Sequence, residues 1–236
     1  MSAVCIIPAR GGSKRIPRKN IRPFLGRPIL AYSIEAALAS ACFDEVMVST
    51  DDPEIAAIAR ECGATVPFVR ETRTAGDYAG FDEVVHEVLT RYRTQSRDFA
   101  HACALFATAP LVTPAHLTRG GEMLRADSRL TAVLPVLRFS FPVQRALALR
   151  DGRAPMLQPE HYHTRSQDLE PAYHDAGQWY WLNVEKFLPT RELMGPNSAA
   201  LVLSAMEAQD IDNEEDWALA ELKFQLRQDA ALHEHR

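Results

Sequence analysis

The chain has 236 residues, of which 47% are hydrophobic, and it carries a formal net charge of −5. This length and composition predict one globular domain with a full hydrophobic core, and the acidic balance argues against a nucleic-acid-binding protein. The apolar runs are far shorter than the ~18 residues that a membrane-spanning helix needs, and residues 1–7 do not resemble a secretory signal. The four cysteines form no Cys-x-x-Cys pair, so we expect reduced cysteines in the core of a cytoplasmic protein.

Predicted strands and helices alternate along the first 137 residues. Residues 3–8 form an apolar run typical of a buried strand, and residues 28–41 follow with apolar side chains on one helical face. Further strands are predicted at residues 45–50, 65–69, 101–107 and 131–137, and further helices from Asp51-Asp52-Pro53 to Gly63, at 81–92, and from Thr113-Pro114 to 126. This order predicts an α/β fold with an open, mostly parallel sheet and helices on both faces.

The alternation stops between residues 139 and 175. Residues 143–149 and a turn at Asp151-Gly152 predict a hairpin, and an irregular stretch follows it. We interpret residues 139–175 as a small inserted lobe for substrate binding or dimerisation within one domain of residues 1–236; the alternative is a disordered loop. Beyond it, strands are predicted at 177–182 and 200–203, and helices at 184–188 and 213–223.

The loop that follows the first strand, residues 10–20, carries five cations in eleven residues. The backbone N–H groups of Gly11, Gly12 and Ser13 can form an anion-binding nest. Compensating positive charge comes from Arg10, Lys14, Arg15, Arg18 and Lys19. We therefore predict a polyphosphate site; a solvated basic turn is the alternative, but it would not need paired glycines. The loop fits neither the Walker frame nor Gly-x-Gly-x-x-Gly, which disfavours a dinucleotide oxidoreductase.

A second candidate site is Asp210-Ile211-Asp212. In an extended segment the two carboxylates project to the same side, and Ile211 points the opposite way. Two carboxylates facing a phosphate loop can hold Mg²⁺, which completes its ligands with phosphate oxygens and water. The alternative is helix capping by Asp212 or Asn213, and both roles can hold together.

Three segments together resemble the acylneuraminate cytidylyltransferase family, in order and spacing over essentially the whole chain: residues 9–20, residues 48–52 and Asp210-Ile211-Asp212. Residues 106–110 and 173–181 are similar to the branch of that family that activates pseudaminic acid. In the sialic acid enzymes the first of these two stretches more typically begins with glutamine, whereas this chain has Phe106.

The resemblance implies a Rossmannoid, GT-A-like nucleotidyltransferase fold and a homodimer that exchanges the inserted lobe. It implies a magnesium-dependent transfer of CMP from CTP to the anomeric hydroxyl of a nine-carbon sugar acid, pseudaminic acid, with release of pyrophosphate. Sialic or legionaminic acid remains an alternative substrate. Outside this class, a non-catalytic nucleotide sensor is the alternative.

The resemblance also implies roles for individual residues, matched by position. Arg10, Ser13, Lys14, Lys19 and Asn20 would hold the triphosphate, Arg70 and Thr108 the cytosine or ribose, Phe106, Arg165, Gln167 and Gln178 the sugar, and Asp210 and Asp212 the metal. The expected catalytic residues are Lys19, near the α-phosphate, Arg10 and Asp212.

Five residues carry alternatives. Arg165 suits the sugar carboxylate but could be a plain surface arginine. Trp179 and Trp181 could form an apolar wall with Phe106 against the deoxygenated end of pseudaminic acid, or could be sheet core. His163 and His174 are candidate proton acceptors, and neither is assigned as the base.

Overall fold

The computed structural model describes residues 2–76 and 79–234, with side chains to residue 230. Its strands are β1 (Ala3–Pro8), β2 (Pro23–Phe24), β3 (Arg27–Pro28), β4 (Glu45–Ser49), β5 (His101–Leu105), β6 (Ala132–Arg138), β7 (Tyr173–Asp175), β8 (Trp179–Asn183) and β9 (Ser198–Leu203). Its α-helices are α1 (Ile29–Ser40), α2 (Pro53–Glu61), α3 (Thr72–Ala75), α4 (Phe81–Thr94), α5 (Pro114–Ala126), α6 (Val184–Thr190) and α7 (Glu214–Glu234).

The central sheet has the order β4-β1-β5-β8-β6, with β9 paired to the far side of β6 and β7 beside β6 on the same edge as β8. Only β7 and β8 run against the direction of the other strands in this sheet, within the part of the chain that the structure describes. The predicted α/β fold with a mostly parallel sheet is therefore confirmed. The strands β2 and β3 form a separate small hairpin.

Each face of the sheet buries its own hydrophobic core. Alternation along β1 places Cys5 and Ile7 in one core with α1, α2 and α5, and Val4 and Ile6 in the other with α4 and α6. The prediction of helices on both faces is thus also correct. No helix within residues 2–76 and 79–234 is long and apolar enough to cross a membrane.

Two element predictions need correction. Residues 65–69 do not form a strand: Thr65 makes one parallel bridge to Met47, and Pro67 then supplies no N–H for a ladder. Helix α7 continues well beyond the predicted end at residue 223. The predicted helix starts at Asp52 and Thr113 are confirmed, since both side chains accept backbone N–H bonds as N-caps.

The segment from 139 to 175 begins beyond β6 and contains short 3-10 turns rather than long helices. The predicted hairpin forms as two isolated bridges, Leu147 to Met156 and Arg150 to Arg153, around Asp151-Gly152. Both turn residues have positive φ, 49° and 73°, as a tight two-residue hairpin turn requires. The preceding Val143–Arg145 stretch, by contrast, is a 3-10 turn and not strand.

Candidate functional site

A third hydrophobic cluster joins the two predicted motifs. Ile16 of the basic loop and Ile211 of the acidic segment are both fully buried, and both belong to this cluster together with Phe24 and Trp217. Trp217 lies on α7, so this helix packs against the buried Ile16 of the basic loop. The two motifs are 190 residues apart in sequence, and their apolar residues hold them together.

A cleft of about 530 Å³ opens beside this junction, beyond the carboxyl ends of the parallel strands. Its lining includes most of the predicted nucleotide contacts, namely Arg10, Ser13, Lys14, Lys19, Asn20, Arg70 and Thr108. The lining combines these cations with the apolar residues Phe81, Val84 and Phe106. The structure thus brings the predicted triphosphate residues and the predicted cytosine or ribose residues to one cavity.

Internal hydrogen bonds fix the shape of the basic loop. Asn20 Nδ2 donates to the Arg10 carbonyl at 2.8 Å, and Arg10 Nη1 donates to the Gly76 carbonyl at 3.0 Å. The Gly11 amide donates to Asp51 Oδ1 at 3.2 Å, and a Cβ on Gly11 would lie 2.6 Å from Asp52 Oδ2. Close packing against these aspartates is therefore a physical reason for glycine at position 11. Two amides of the predicted nest have partners within the protein, since Gly11 donates to Asp51 and Ser13 donates to the Gly11 carbonyl.

Arg18 has a different role from the predicted one. It has left-handed backbone, with φ of 55°, and its guanidinium forms ion pairs with Asp52 and Glu54 at the start of α2. The bond from Arg18 lowers the pKa of the Asp52 carboxyl, which also caps α2. Arg18 thus ties the loop to α2, and it is not among the residues that line the cleft.

Lys19, near the end of the basic loop, contacts the acidic segment. Its Nζ donates to the Ile211 carbonyl at 2.6 Å. Burial lowers the pKa of the Lys19 ammonium, and the negative charges of Asp212 and Asp210 oppose that shift. A cation at the edge of a phosphate cleft with two carboxylates beside it has the arrangement that phosphoryl transfer needs.

The two aspartates differ in their surroundings. Asp212 forms an ion pair with Arg15 at 2.7 Å and also lies at the start of α7, where Asn213 makes the cap. The Asp210 side chain is partly exposed, yet protein atoms around its carboxyl desolvate it, and this with the charge of Asp212 raises its pKa. A cation bound here would be stabilised by both carboxylates.

The acidic pair fits Mg²⁺ by the chemistry of its donors. Asp210 and Asp212 line a second cleft of about 380 Å³, together with Asp175 and Asp216. Within the described ranges, no group of three or more His, Cys, Asp or Glu side chains is arranged as a complete metal site. Magnesium does not need one, because it is commonly held by one or two carboxylates plus substrate phosphates and water.

Arg70 and Glu87 shape the far side of the cleft. Arg70 is buried, and its guanidinium donates to the Ser49 hydroxyl at 3.1 Å and to the Ser49 carbonyl at 2.5 Å. Desolvation lowers its pKa to about 10. Glu87, which no sequence motif identified, is a buried carboxylate that accepts from Thr74 Oγ1 and the Glu71 amide and so holds α3 beside the cleft. The sequence places Glu87 on a predicted helix, but that position does not distinguish a buried side chain from an exposed one.

The predicted sugar contacts fall in different places. Phe106 lines the cleft and stacks on Phe81, with ring centroids 4.3 Å apart and planes 9° from parallel. Gln178 is buried; its Nε2 donates to the Glu207 carbonyl at 2.8 Å, and its Oε1 has no hydrogen-bond partner in the described part of the chain. Arg165 is exposed and paired with Asp168 at 2.7 Å, and neither it nor Gln167 lines the clefts described above.

The tryptophan wall proposed from the sequence is wrong. Trp179 and Trp181 are fully buried beneath α5, where the Trp181 indole N–H donates to the Leu117 carbonyl at 2.9 Å. A Cβ on Gly120 would lie 2.5 Å from Trp179, so α5 packs directly on the rings. The alternative reading of both residues as sheet core is confirmed.

Comparison with known proteins adds independent evidence. The model of the cytidylyltransferase family matches residues 4–146. A pseudaminic acid cytidylyltransferase of Campylobacter jejuni is 40% identical over 233 residues, which are 98% of this chain and 100% of that protein. A CMP-N,N'-diacetyllegionaminic acid synthase of Legionella pneumophila is 31% identical over 239 residues, covering 98% of this chain and 100% of the relative.

Solved structures agree at the level of the fold. A CMP:2-keto-3-deoxy-manno-octonic acid synthetase complexed with CTP has a TM-score of 0.69 and 18% identity, over 97% of this chain and 100% of that one. A 4-diphosphocytidyl-2C-methyl-D-erythritol synthase of Anaerococcus prevotii has a TM-score of 0.62 and 14% identity, over 95% and 98%. At these identities the likeness shows a shared architecture.

Proposed function

Because the chain belongs to the cytidylyltransferase family, as its motifs predicted, we propose that it transfers CMP from CTP to pseudaminic acid and releases pyrophosphate. The observation that carries this proposal is the single cleft lined by Arg10, Ser13, Lys14 and Lys19, with Asp210 and Asp212 adjoining Lys19. The full-length likeness to a protein named for pseudaminic acid supports the choice of sugar.

The reaction is an in-line displacement at the α-phosphorus of CTP. The anomeric oxygen of the sugar forms a bond to that phosphorus, the bond to the bridging oxygen breaks, and pyrophosphate leaves with the electron pair. The hydroxyl proton goes to a base that we do not assign. The protein must mainly position the reactants and neutralise charge, since the transferred group carries its charge on its oxygens.

The residues of the cleft divide this work between them. Arg10, Ser13 and Lys14 would hold the β- and γ-phosphates, and Lys19 would face the α-phosphate, where charge develops during transfer. Asp210 and Asp212 would hold Mg²⁺, which when bound neutralises phosphate charge and orients the leaving group. Arg70 and Thr108 border the part of the cleft that we assign to the nucleoside.

The aromatic end of the cleft supports a sugar with an apolar tip. Pseudaminic acid lacks the terminal hydroxyl of sialic acid, and the stacked rings of Phe81 and Phe106 offer no hydrogen-bonding group to such a hydroxyl. Legionaminic acid remains the second candidate, because a relative of that name is also similar over its full length.

We also propose a homodimer. Residues 139–175 expose several large apolar side chains in the single chain, including Phe141 at 63%, Leu149 at 84% and Tyr162 at 64%. Such a concentration is unusual on a monomer surface and is typical of an interface. Exchange of this segment would bring Arg165 and Gln167 of one subunit to the cleft of the other.

A cytoplasmic location accords with the four free cysteines and with the use of CTP.

Pyrophosphate release tests the proposed function. Purified enzyme with CTP and Mg²⁺ should release pyrophosphate in the presence of pseudaminic acid, and more slowly with legionaminic or N-acetylneuraminic acid. Faster turnover of another sugar would change the substrate assignment. CTP binding without pyrophosphate release for any of the three acids, unaffected by Asp210→Asn, would favour the nucleotide sensor instead.

A further inference from the structure

The corner between β7 and β8 lies directly against the Asp210 side chain. Gly177 sits at this corner with left-handed backbone, φ of 64°. A Cβ placed on Gly177 would lie 2.9 Å from Asp210 Cγ, 3.0 Å from Asp210 Cβ and 3.2 Å from Oδ2. Real Cβ atoms essentially never approach another heavy atom closer than 3.0 Å. The absent side chain of Gly177 therefore leaves the space that the Asp210 carboxylate fills.

The corner is held rigidly on its own side. The Gly177 amide donates to Asp175 Oδ1 at 3.0 Å, and the hydroxyl of the buried Tyr180 donates to the other oxygen of the same carboxylate. The Ala176 amide donates to the Pro135 carbonyl at 3.0 Å, which joins the corner to β6. The corner cannot move away from Asp210 without breaking bonds to the sheet.

The segment that carries Asp210 is tied both to the corner and to α7. From the corner, Gln178 Nε2 donates to the Glu207 carbonyl at 2.8 Å, and from α7, Lys223 Nζ donates to the Ala208 carbonyl at 2.9 Å. Ile211 is buried in the third cluster, next to its carbonyl contact with Lys19. The backbone on both sides of Asp210 is thus held in place, and a side chain at position 177 would take space that the partly exposed Asp210 carboxylate now fills.

We propose that Gly177 is a positioning residue for the metal carboxylate: its lack of a side chain lets the corner between β7 and β8 place Asp210 for Mg²⁺. This inference rests on the proposed function, in which Asp210 holds the metal. Gly177 is not among the residues that line either cleft, so it acts through Asp210. An added methyl group would displace the Asp210 carboxylate, while the cationic residues that hold the triphosphate would stay in place.

Two glycine variants separate this steric effect from the cost of a side chain in left-handed backbone. Gly177→Ala meets Asp210, whereas Gly26→Ala has the same kind of backbone, φ of 86°, and no heavy atom within 4 Å of its new Cβ. Gly26 lies in the β2–β3 turn, outside the cleft lining. Both variants carry the conformational cost, so a difference between them reports the contact with Asp210.

The readout is metal binding, measured without turnover. Mn²⁺ is titrated into enzyme with CTP and no sugar, and free Mn²⁺ is followed by electron paramagnetic resonance; a titration of CTP alone is subtracted, because the triphosphate itself chelates Mn²⁺. CTP affinity in EDTA is measured by calorimetry. We expect Gly177→Ala to weaken Mn²⁺ binding at least tenfold and to leave metal-free CTP affinity within twofold. Gly26→Ala should match the wild type in both. Unchanged Mn²⁺ binding in Gly177→Ala would overturn the inference.

A second variant covers the case in which Gly177→Ala does not fold. Tyr180→Phe removes the hydroxyl contact with Asp175 and adds no atom, so it loosens the corner while keeping the core filled. We expect Mn²⁺ binding to weaken about threefold; wild-type binding in this variant would count against a positioning corner. A wild-type enzyme that binds no Mn²⁺ with CTP would instead refute the proposed function, and this inference with it.

Discussion

Replacing Lys19 with methionine tests the cationic edge of the cleft most directly. Lys19→Met keeps the length of the side chain and removes its charge and its 2.6 Å bond to the Ile211 carbonyl. If Lys19 faces the α-phosphate, the variant loses one charged donor to the developing charge. Removal of one such donor costs about 10²–10³ in turnover, or about 2.7–4 kcal/mol of transition-state stabilisation.

The same substitution should affect stability much less. The loss of a charge-assisted hydrogen bond costs about 1.5–3 kcal/mol. The substitution also removes the desolvation penalty of the buried ammonium, and that penalty is the main cause of the lowered pKa of Lys19. The two effects oppose each other, so we expect the free energy of unfolding to change by less than about 2 kcal/mol. We therefore expect this variant to lose most of its turnover while its stability changes little.

The assay is pyrophosphate release at saturating CTP and pseudaminic acid, paired with urea unfolding. Lys186→Met is the matched control, because Lys186 Nζ also donates to a backbone carbonyl, that of Leu130 at 3.3 Å, but lies on α6 beyond the opposite end of the sheet. The control should keep wild-type turnover. If Lys19→Met retains kcat within fivefold of the wild type, Lys19 does not stabilise the transition state and our reasoning fails.

Three further outcomes are expected. Asp212→Asn should raise the Mg²⁺ concentration needed for half-maximal turnover, because it removes one of the two proposed carboxylate ligands; a wild-type Mg²⁺ titration curve would exclude Asp212 as a metal ligand. Gly120→Ala should lower the free energy of unfolding by about 1–3 kcal/mol, because its Cβ would lie 2.5 Å from Trp179 and overpacking outweighs the better helix propensity; urea unfolding that shows equal stability would contradict this packing. Arg18 lowers the folded-state pKa of Asp52, so the carboxylate stabilises the protein at neutral pH and loses this effect as the pH falls through that pKa. The difference in unfolding free energy between wild type and Asp52→Asn should shrink between pH 6 and pH 3, and a constant difference would argue against the ion pair.

Local sequence signals predicted the elements that depend on local physics. The apolar run of β1, the caps at Asp52 and Thr113 and the stripe of α4 are each encoded within a few residues, and all appear in the structure. The basic loop was likewise recognisable, because a strand that ends in small residues and cations has few other uses. The contact of this loop with the acidic segment followed from the resemblance instead. No local pattern relates Lys19 to Ile211, which lies 192 positions further along the chain.

The errors concern interactions that only tertiary packing decides. Arg18 is one of several similar cations in its loop, and only the position of α2 directs it to Asp52 and Glu54. The two tryptophans of β8 alternate with other apolar residues on a strand buried on both faces, so periodicity could not assign them to a wall or to the core. Arg165 and Gln167 lie outside both clefts of the single chain, and their roles stay predictions.

The third cluster has a consequence for synthesis of the protein. Once the ribosome has added Leu203, every strand of the described sheet exists, yet Ile16 and Phe24 still lack Ile211 and Trp217 as covering partners. A chain that stops before Ile211 lacks these covering partners, and it also lacks Asp212. If the acidic segment holds the metal as proposed, CMP transfer therefore requires translation beyond Asp212.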